Sequence, residues 1–279
     1  MAIYHVDGQF MPAEKAVIPV DDLAVVRGIG VFDLLRTYDG KPLFLQEHVQ
    51  RLFDSAKAIK LDLPWSPDHI CRVALETLAR NDLEEANIRI IVTGGSSPDF
   101  MTPQGKPRLI VLVTPLPRLP RWWYDQGVKV ITLVSERRIP DAKSIDYLPA
   151  AMALQKAREA EAVEAIYIDR RGNALEGTTS NLFALIDGTL VTPGKGILSG
   201  ITRKVVLAIA QGICPVAVRD LPRKELPKAQ EVFITGTNKG LVPVVQIDDT
   251  PVGDGRPGPL TRRIMAALEA QMTAPRLSG

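Results

Sequence analysis

The sequence predicts a two-domain protein mixing α and β elements: a small amino-terminal α+β domain, residues 1–114, and a larger strand-rich domain, residues 128–279. Three observations lead there. Short runs of alternating apolar residues recur along the chain and mark strands, and a few longer stretches place apolar residues at helical spacing. Between the two sets, "TPLPRLPRWWYDQG" carries three prolines and no clean periodicity, which places a connector over residues 115–127. At 279 residues the chain is long enough for two cores.

Taken in order, "AIYHVDGQFMP" reads as a hairpin turning at Asp7-Gly8, and "GVFDLLRTYDG" as a strand ending in a second Asp-Gly turn. "LFLQEHVQRLFDSAKAI" has Leu45, Val49, Leu52, Phe53 and Ala56 at helical spacing. In "SPDHICRVALETLARN", Ser66 or Asp68 can cap a helix and Pro67 is tolerated in its first turn. "NIRIIVTGG" and "RLIVLVTPLP" read as strands, as does "VKVITLV" beyond the connector. The helix-like "YLPAAMALQKAREAEA" leads into "AIYIDRRGNAL" and "NLFALIDGTLVT", alternating strands with tight turns. "GITRKVVLAIAQG" is a glycine-bounded helix, "QEVFITGTNKG" a strand entering a loop, and "GPLTRRIMAALEAQM" a closing helix.

Bulk composition excludes several classes. With 46% apolar and 24% charged residues the chain reads as soluble and globular. A net charge of +2, without a stripe of Lys and Arg, gives no case for nucleic acid. No apolar stretch approaches the roughly 20 residues that span a bilayer. "MAIYHVDGQF" lacks the basic-then-apolar pattern of a signal peptide. Cys71 and Cys214 lie far apart, without metal-ligand spacing, and suit a reducing cytoplasm. A cytoplasmic protein without a metal site is the expectation. Its three histidines are scattered, which leaves lysine, tyrosine and carboxylates as the evident acid–base groups.

Lys143, in "DAKSIDY", sits between a strand and a helix. Solvated, it is an ordinary surface lysine. Desolvated in a cavity, it is an amine nucleophile suited to a carbonyl cofactor. Pyridoxal phosphate would need more: a carboxylate at its ring nitrogen, donors around its phosphate, and a group near its phenolic oxygen. Glu176 in "ALEGTTSNLF" is a candidate for the first, or a plain turn carboxylate. "SGITR" offers the Ile201 and Thr202 amides at a helix start, which can bind phosphate or simply be capped by Ser199 or Thr202. Thr237 in "ITGTNKG" and Arg51 in "EHVQRLFDSA" are further phosphate candidates, each with an ordinary reading as turn or surface residue.

In order along the chain, these pieces resemble the class IV aminotransferases, the fold-type IV pyridoxal-phosphate enzymes. That family contains branched-chain aminotransferases, D-amino acid aminotransferases and aminodeoxychorismate lyases. The resemblance is carried by "RGIGVFDLLRTYDG", "EHVQRLFDSA", "AKSIDYL", "EGTTSNLFALIDGTLVTP", "ILSGITR", "EVFITGT" and "GPLT". It implies the fold-type IV architecture, pyridoxal 5'-phosphate as cofactor, and a homodimer with sites at the domain boundary. By resemblance Lys143 matches the Schiff-base lysine, Arg51 the phosphate arginine and Glu176 the partner of the pyridine nitrogen. Ile201 and Thr202 match the phosphate-binding amides, Thr237 the phosphate-binding hydroxyl, and Tyr147 the tyrosine near the phenolic oxygen. A nucleotide-binding role for "RGIG" is set aside, because it lacks the strand–GxGxxG–helix context.

The subfamily turns on where the cations lie. Familiar bacterial D-amino acid enzymes hold the α-carboxylate with an Arg-x-His pair, where this chain has Asp99 and Met101. The Tyr-x-Arg of branched-chain enzymes reads "NIR", keeping Arg89 but placing Asn87 for the tyrosine. Arg27, Arg89 and Lys239 are therefore candidate substrate cations, an excess that carboxylate-rich substrates would balance and leucine side chains would not. The resulting expectation is a D-amino acid aminotransferase acting on D-alanine and D-glutamate with a non-standard carboxylate-binding set. A branched-chain L-amino acid aminotransferase is the alternative, an aminodeoxychorismate lyase the third, and a cofactor-binding homologue without turnover the non-enzymatic rival.

Overall fold

The computed structural model describes residues 1–273. Two compact units form: Met1–Pro117 with Asp141–Tyr147, and Arg118–Pro140 with the chain from Leu148 onward.

In the first unit the elements are β1 (Ile3–Val6), β2 (Gln9–Pro12), α1 (Leu23–Arg27), β3 (Gly30–Tyr38), β4 (Lys41–Pro42), α2 (Leu45–Ala58), α3 (Pro67–Ala79), β5 (Ala86–Thr93) and β6 (Arg108–Pro115). The strands make an antiparallel sheet in the order β2-β1-β6-β5-β3-β4. The period of two sends Val31, Leu35, Ile88, Ile90, Val92, Val111 and Val113 into one core with Val49, Leu52 and Ala56 of α2 and Ile70, Val73 and Ala74 of α3. Both Asp-Gly turns adopt positive φ at each residue, the geometry that two-residue hairpins require. Ser66 caps α3, its side chain accepting from the His69 amide, with Pro67 in the first turn.

The segment Asp141–Tyr147 belongs to this unit because it adds to the open edge of β3. The Phe32 amide donates to the Lys143 carbonyl at 2.9 Å, the Ile145 amide donates to the Gly30 carbonyl at 3.1 Å, and Val31 bridges Ser144. A Cβ at Gly30 would lie 2.7 Å from the Val92 carbonyl oxygen and 2.9 Å from Ile145 Cδ1. The second glycine of "RGIG" thus serves the close approach of the β5 backbone at Val92, with the Ile145 side chain on its other flank. The first, Gly28, ends α1 in the left-handed conformation.

The second unit runs α4 (Trp122–Asp125), β7 (Val128–Val134), α5 (Leu148–Glu159), β8 (Glu164–Ile168), β9 (Asn173–Gly177), β10 (Asn181–Ile186), β11 (Thr189–Thr192), α6 (Ile201–Gln211), β12 (Val216–Val218), β13 (Leu221–Pro222), β14 (Glu231–Gly236), β15 (Gly240–Ile247), β16 (Thr250–Pro251) and α7 (Pro259–Thr273). The sheet order is β12-β11-β10-β14-β15-β7-β8-β9-β13, with β16 on β15. β9 also pairs with β10 through Glu176 and Asn181, so the path from β10 round to β9 closes on itself. Val130, Ile166, Leu182, Ile234 and Val242 fill the core of this closed layer.

Two features depart from the sequence pattern. The loop expected after "ITGTNKG" is a turn that returns as β15, with Pro243 in register with Phe233. An internal proline argues against a strand locally, and the pairing on both sides overrides it. Residues in the expected connector are also structured: Trp123 and Tyr124 pack on the second core, and Tyr124 Oη donates to the Lys239 carbonyl at 3.0 Å.

Candidate active site

Lys143 is half-buried, and its backbone is fixed on both sides: the carbonyl accepts from Phe32, and the amide donates to Ser55 Oγ of α2 at 3.0 Å. Antiparallel pairing puts Lys143 beside Phe32, and its Nζ stands 4.6 Å from the Phe32 ring centroid. Tyr147 closes over the same ring edge-on, with centroids 5.3 Å apart, and its Oη lies 3.4 Å from Lys143 Nζ. The Arg89 guanidinium sits 5.1 Å from the same Phe32 centroid. Lys143 and Tyr147 from one segment, and Arg89 from a strand more than fifty residues earlier, thus meet the same aromatic ring.

Arg51 is 11% exposed at its side chain and grips Asp33 with two parallel bonds, Nε to Oδ2 and Nη2 to Oδ1, each 2.8 Å. Asp33 is fully buried and also meets His48 Nδ1 at 2.7 Å. Burial alone would raise the Asp33 carboxyl, but the charge of Arg51 beside it holds it well below the usual carboxylate range. Burial pushes His48 below the ordinary imidazole value despite the neighbouring carboxylate. A carboxylate can only accept, so the neutral His48 ring carries its proton on Nδ1 and donates it to Asp33. This arrangement holds the Arg51 fork in one orientation.

The remaining first-unit candidates differ. Arg27 is exposed and donates to the carbonyl of its neighbour Val26 at 3.0 Å. Asp99 organises its own loop, accepting from Ser97 Oγ at 2.6 Å and from the Met101 and Thr102 amides at 2.9 and 3.0 Å.

In the second unit Glu176 is 4% exposed, held by the β9–β10 bridge. Its Oε2 accepts from the Leu198 amide at 2.9 Å and from Asn181 Nδ2 at 3.3 Å, and its Oε1 from Arg137 Nη1 at 3.3 Å. Asn181 also donates to the Leu198 carbonyl at 2.9 Å. Behind it, Gly200 starts α6 with no side-chain cap and no acidic residue in the first turn. A Cβ there would fall 1.9 Å from Asn181 Oδ1, so "SGITR" needs glycine for space rather than for an unusual φ. Ile201 and Thr202 follow, both buried. Arg203 ties the helix to the end of β11, donating to the Pro193 carbonyl at 2.8 Å and to Thr192 Oγ1 at 3.2 Å. Thr237 lies half-buried in the turn between β14 and β15. Lys239, in the same turn, places Nζ 2.5 Å from Oε2 of the fully buried Glu164.

Sequence reasoning passed over Asp33, His48, Arg137, Glu164 and Asn181. Asp33 had a signal: it shares the period-two face of Val31 and Leu35, and a carboxylate on a core face requires a partner. Among the described residues no cluster of His, Cys, Asp and Glu could hold a metal ion, and no helix is long and apolar enough to cross a membrane.

A family model described as amino-transferase class IV matches residues 30–247. The chain belongs to the class IV aminotransferases. Like other members it is a pyridoxal-phosphate-dependent aminotransferase of fold type IV, exchanging amino groups between amino acids and 2-oxo acids. It is 37% identical over 276 residues to a provisionally named branched-chain-amino-acid aminotransferase of Methanocaldococcus jannaschii, covering 95% of this chain and 94% of that one. It is 33% identical over 278 residues to a D-alanine aminotransferase of Staphylococcus haemolyticus, covering 95% of each. Among solved structures, the Escherichia coli branched-chain amino acid aminotransferase superposes with a TM-score of 0.89 at 31% identity, covering 98% of this chain and 94% of that one. Another branched-chain amino acid aminotransferase, solved with pyridoxamine 5'-phosphate, has the same TM-score at 30% identity and the same coverage of both chains.

The cofactor's chemistry fits what this class IV aminotransferase presents. The uncapped α6 N-terminus, free of acids in its first turn, suits a phosphate dianion. Glu176, held by an arginine and a backbone amide, is a carboxylate suited to a protonated ring nitrogen.

Proposed function

We propose that this aminotransferase acts on D-amino acids of the D-alanine and D-glutamate type, with Lys143 as its catalytic base. Lys143, Arg51, Tyr147, Glu176, Ile201, Thr202 and Thr237 would serve the cofactor. Arg51, the two α6 amides and the Thr237 hydroxyl would hold its phosphate, and Glu176 its ring nitrogen. When bound, pyridoxal phosphate supplies the electron sink that acidifies the substrate's α-proton and carries the amino group between half-reactions. Lys143 Nζ would take that proton from the α-carbon and give it up again within the same half-reaction, to the cofactor carbon that bears the nitrogen, and would run the transfer in the opposite direction with the 2-oxo acid. The Tyr147 hydroxyl, in contact with Nζ, helps orient the amine.

The observation that carries the substrate reading is Arg89 against the Phe32 ring that Lys143 also meets. Arg89 is half-buried, with no ion-pair partner among the described residues, and a carboxylate-bearing substrate would compensate it. Arg27 and Lys239 support the reading less, one lying exposed and the other meeting Glu164. A branched-chain L-amino acid aminotransferase is the second reading, favoured by the Methanocaldococcus relative. The homodimer and cytoplasmic setting belong to the same proposal: α5 presents Leu148 and Met152 to solvent, apolar side chains that a second copy would cover.

Visible spectra of the purified protein in half-reactions with D-glutamate, D-alanine and L-leucine test this. Rapid bleaching with the D-substrates is expected; bleaching with L-leucine alone would overturn it. Arg89→Ala is expected to raise KM for D-glutamate about tenfold or more, and more than for D-alanine, as loss of a charge-assisted bond implies. Equal losses for both substrates would remove Arg89 from charge reading.

A further inference from the structure

We propose that Glu164, with Lys239 as its counterion, is a positioning residue that locks the turn after Glu176 to the turn carrying Thr237. Lys239 then belongs to this internal lock and not to the substrate pocket. The inference rests on the assignment of Glu176 and Thr237 to the cofactor.

Glu164 opens β8 with no exposed surface. The polar groups of the 178–180 turn converge on its carboxylate. Oε1 accepts from the Thr178 amide at 3.1 Å and from the Thr178 hydroxyl; Oε2 accepts from Thr179 Oγ1 at 2.9 Å and Ser180 Oγ at 3.0 Å. Lys239 reaches in from the other turn, 2.5 Å from Oε2, and also donates to Thr179 Oγ1 at 2.7 Å. The turns touch directly as well: a Cβ at Gly236 would lie 3.1 Å from the Thr179 carbonyl oxygen. The 178–180 turn is bounded by Glu176 and by Asn181, which bonds Glu176, while the 236–240 turn contains Thr237. One buried carboxylate therefore sets the placement of both a ring-nitrogen residue and a phosphate residue.

The charge pattern supports the lock. Burial would raise the Glu164 carboxyl, and the charge of Lys239 beside it overrides that, so the carboxyl is held below its ordinary value. A lysine that neutralises a fully buried carboxylate cannot leave for a substrate without stranding that charge.

The test compares holoenzyme with Lys239→Met, Lys239→Arg and the double variant E164Q/K239M. Three quantities are read: amide hydrogen exchange at 177–181 and 236–240, the rate of pyridoxal phosphate release, and KM for glutamate against an apolar donor of the same configuration. Lys239→Met is expected to raise exchange in both turns together and to speed cofactor release about tenfold, as coupled neighbours do. The ratio of the two KM values should hold. The double variant should recover both properties towards the parent, because glutamine needs no counterion, and Lys239→Arg should retain them. If Lys239→Met unfolds, recovery in the double variant still supports the lock, and its absence overturns it. Unchanged exchange and cofactor release, with KM rising for glutamate alone, would return Lys239 to the substrate pocket. Faster exchange in both turns with unchanged cofactor release would keep the structural lock but overturn its proposed role at the cofactor.

Discussion

Lys143→Ala is expected to abolish transamination while leaving the fold intact. Removing the amine deletes the group proposed to move the α-proton, and positioned proton transfer is worth roughly 10²–10⁴-fold in rate. The fold should survive because this segment is held by its backbone. The Lys143 carbonyl accepts from Phe32 and its amide donates to Ser55, and alanine makes both bonds equally well. Stopped-flow half-reactions give the rate, and circular dichroism with a thermal scan gives the fold. Parental turnover in a folded Lys143→Ala variant would rule out the catalytic assignment.

Asp33→Ala should have the largest effect on stability. It removes the buried carboxylate that the Arg51 guanidinium and the His48 ring both meet, and breaking one partner of a buried pair costs about 3–5 kcal/mol. Chemical denaturation measures that loss, and cofactor release should accelerate as Arg51 loses its fixed orientation. Asp33→Asn keeps the shape but not the charge, and should fall between parent and Asp33→Ala. Parental stability in the alanine variant would show that Arg51 and His48 find other partners.

The same cluster makes stability depend on pH, and the two groups act in one direction. Asp33 has a depressed folded value, so its contribution is complete above roughly pH 4, the ordinary carboxylate value, and is withdrawn as pH falls through the depressed one. His48 also titrates below its ordinary value in the fold, so the unfolded chain takes up its proton first as pH drops below about 6.5. Both effects lower Tm on acidification. Asp33→Asn should remove the lower part of that dependence.

Much of the fold was legible because its signals are local. The Asp7-Gly8 and Asp39-Gly40 turns announce themselves by residue type, since few others adopt two successive positive φ values. α2 and α3 follow from apolar spacing within fourteen residues, and the Ser66-Pro67 start is a matter of adjacent chemistry. β15 was not legible, because Pro243 is a local argument against a strand and only β14 and β7 on its flanks outweigh it.

The candidate site divides in the same way. Sequence by itself determined the family and the cofactor and proposed the groups that would hold it, because these sit in short contiguous runs whose residue types the chemistry demands. Only the tertiary structure decided how charges pair. Asp33 and Arg51 lie 18 residues apart, and Glu164 and Lys239 lie 75 apart. No spacing rule joins such positions. A buried carboxylate must find a cation, but which cation it finds depends on which turns the fold brings together. That is why Lys239 reads as a substrate group in the sequence and meets Glu164 in the structure, while Arg89 shares the Phe32 ring with Lys143.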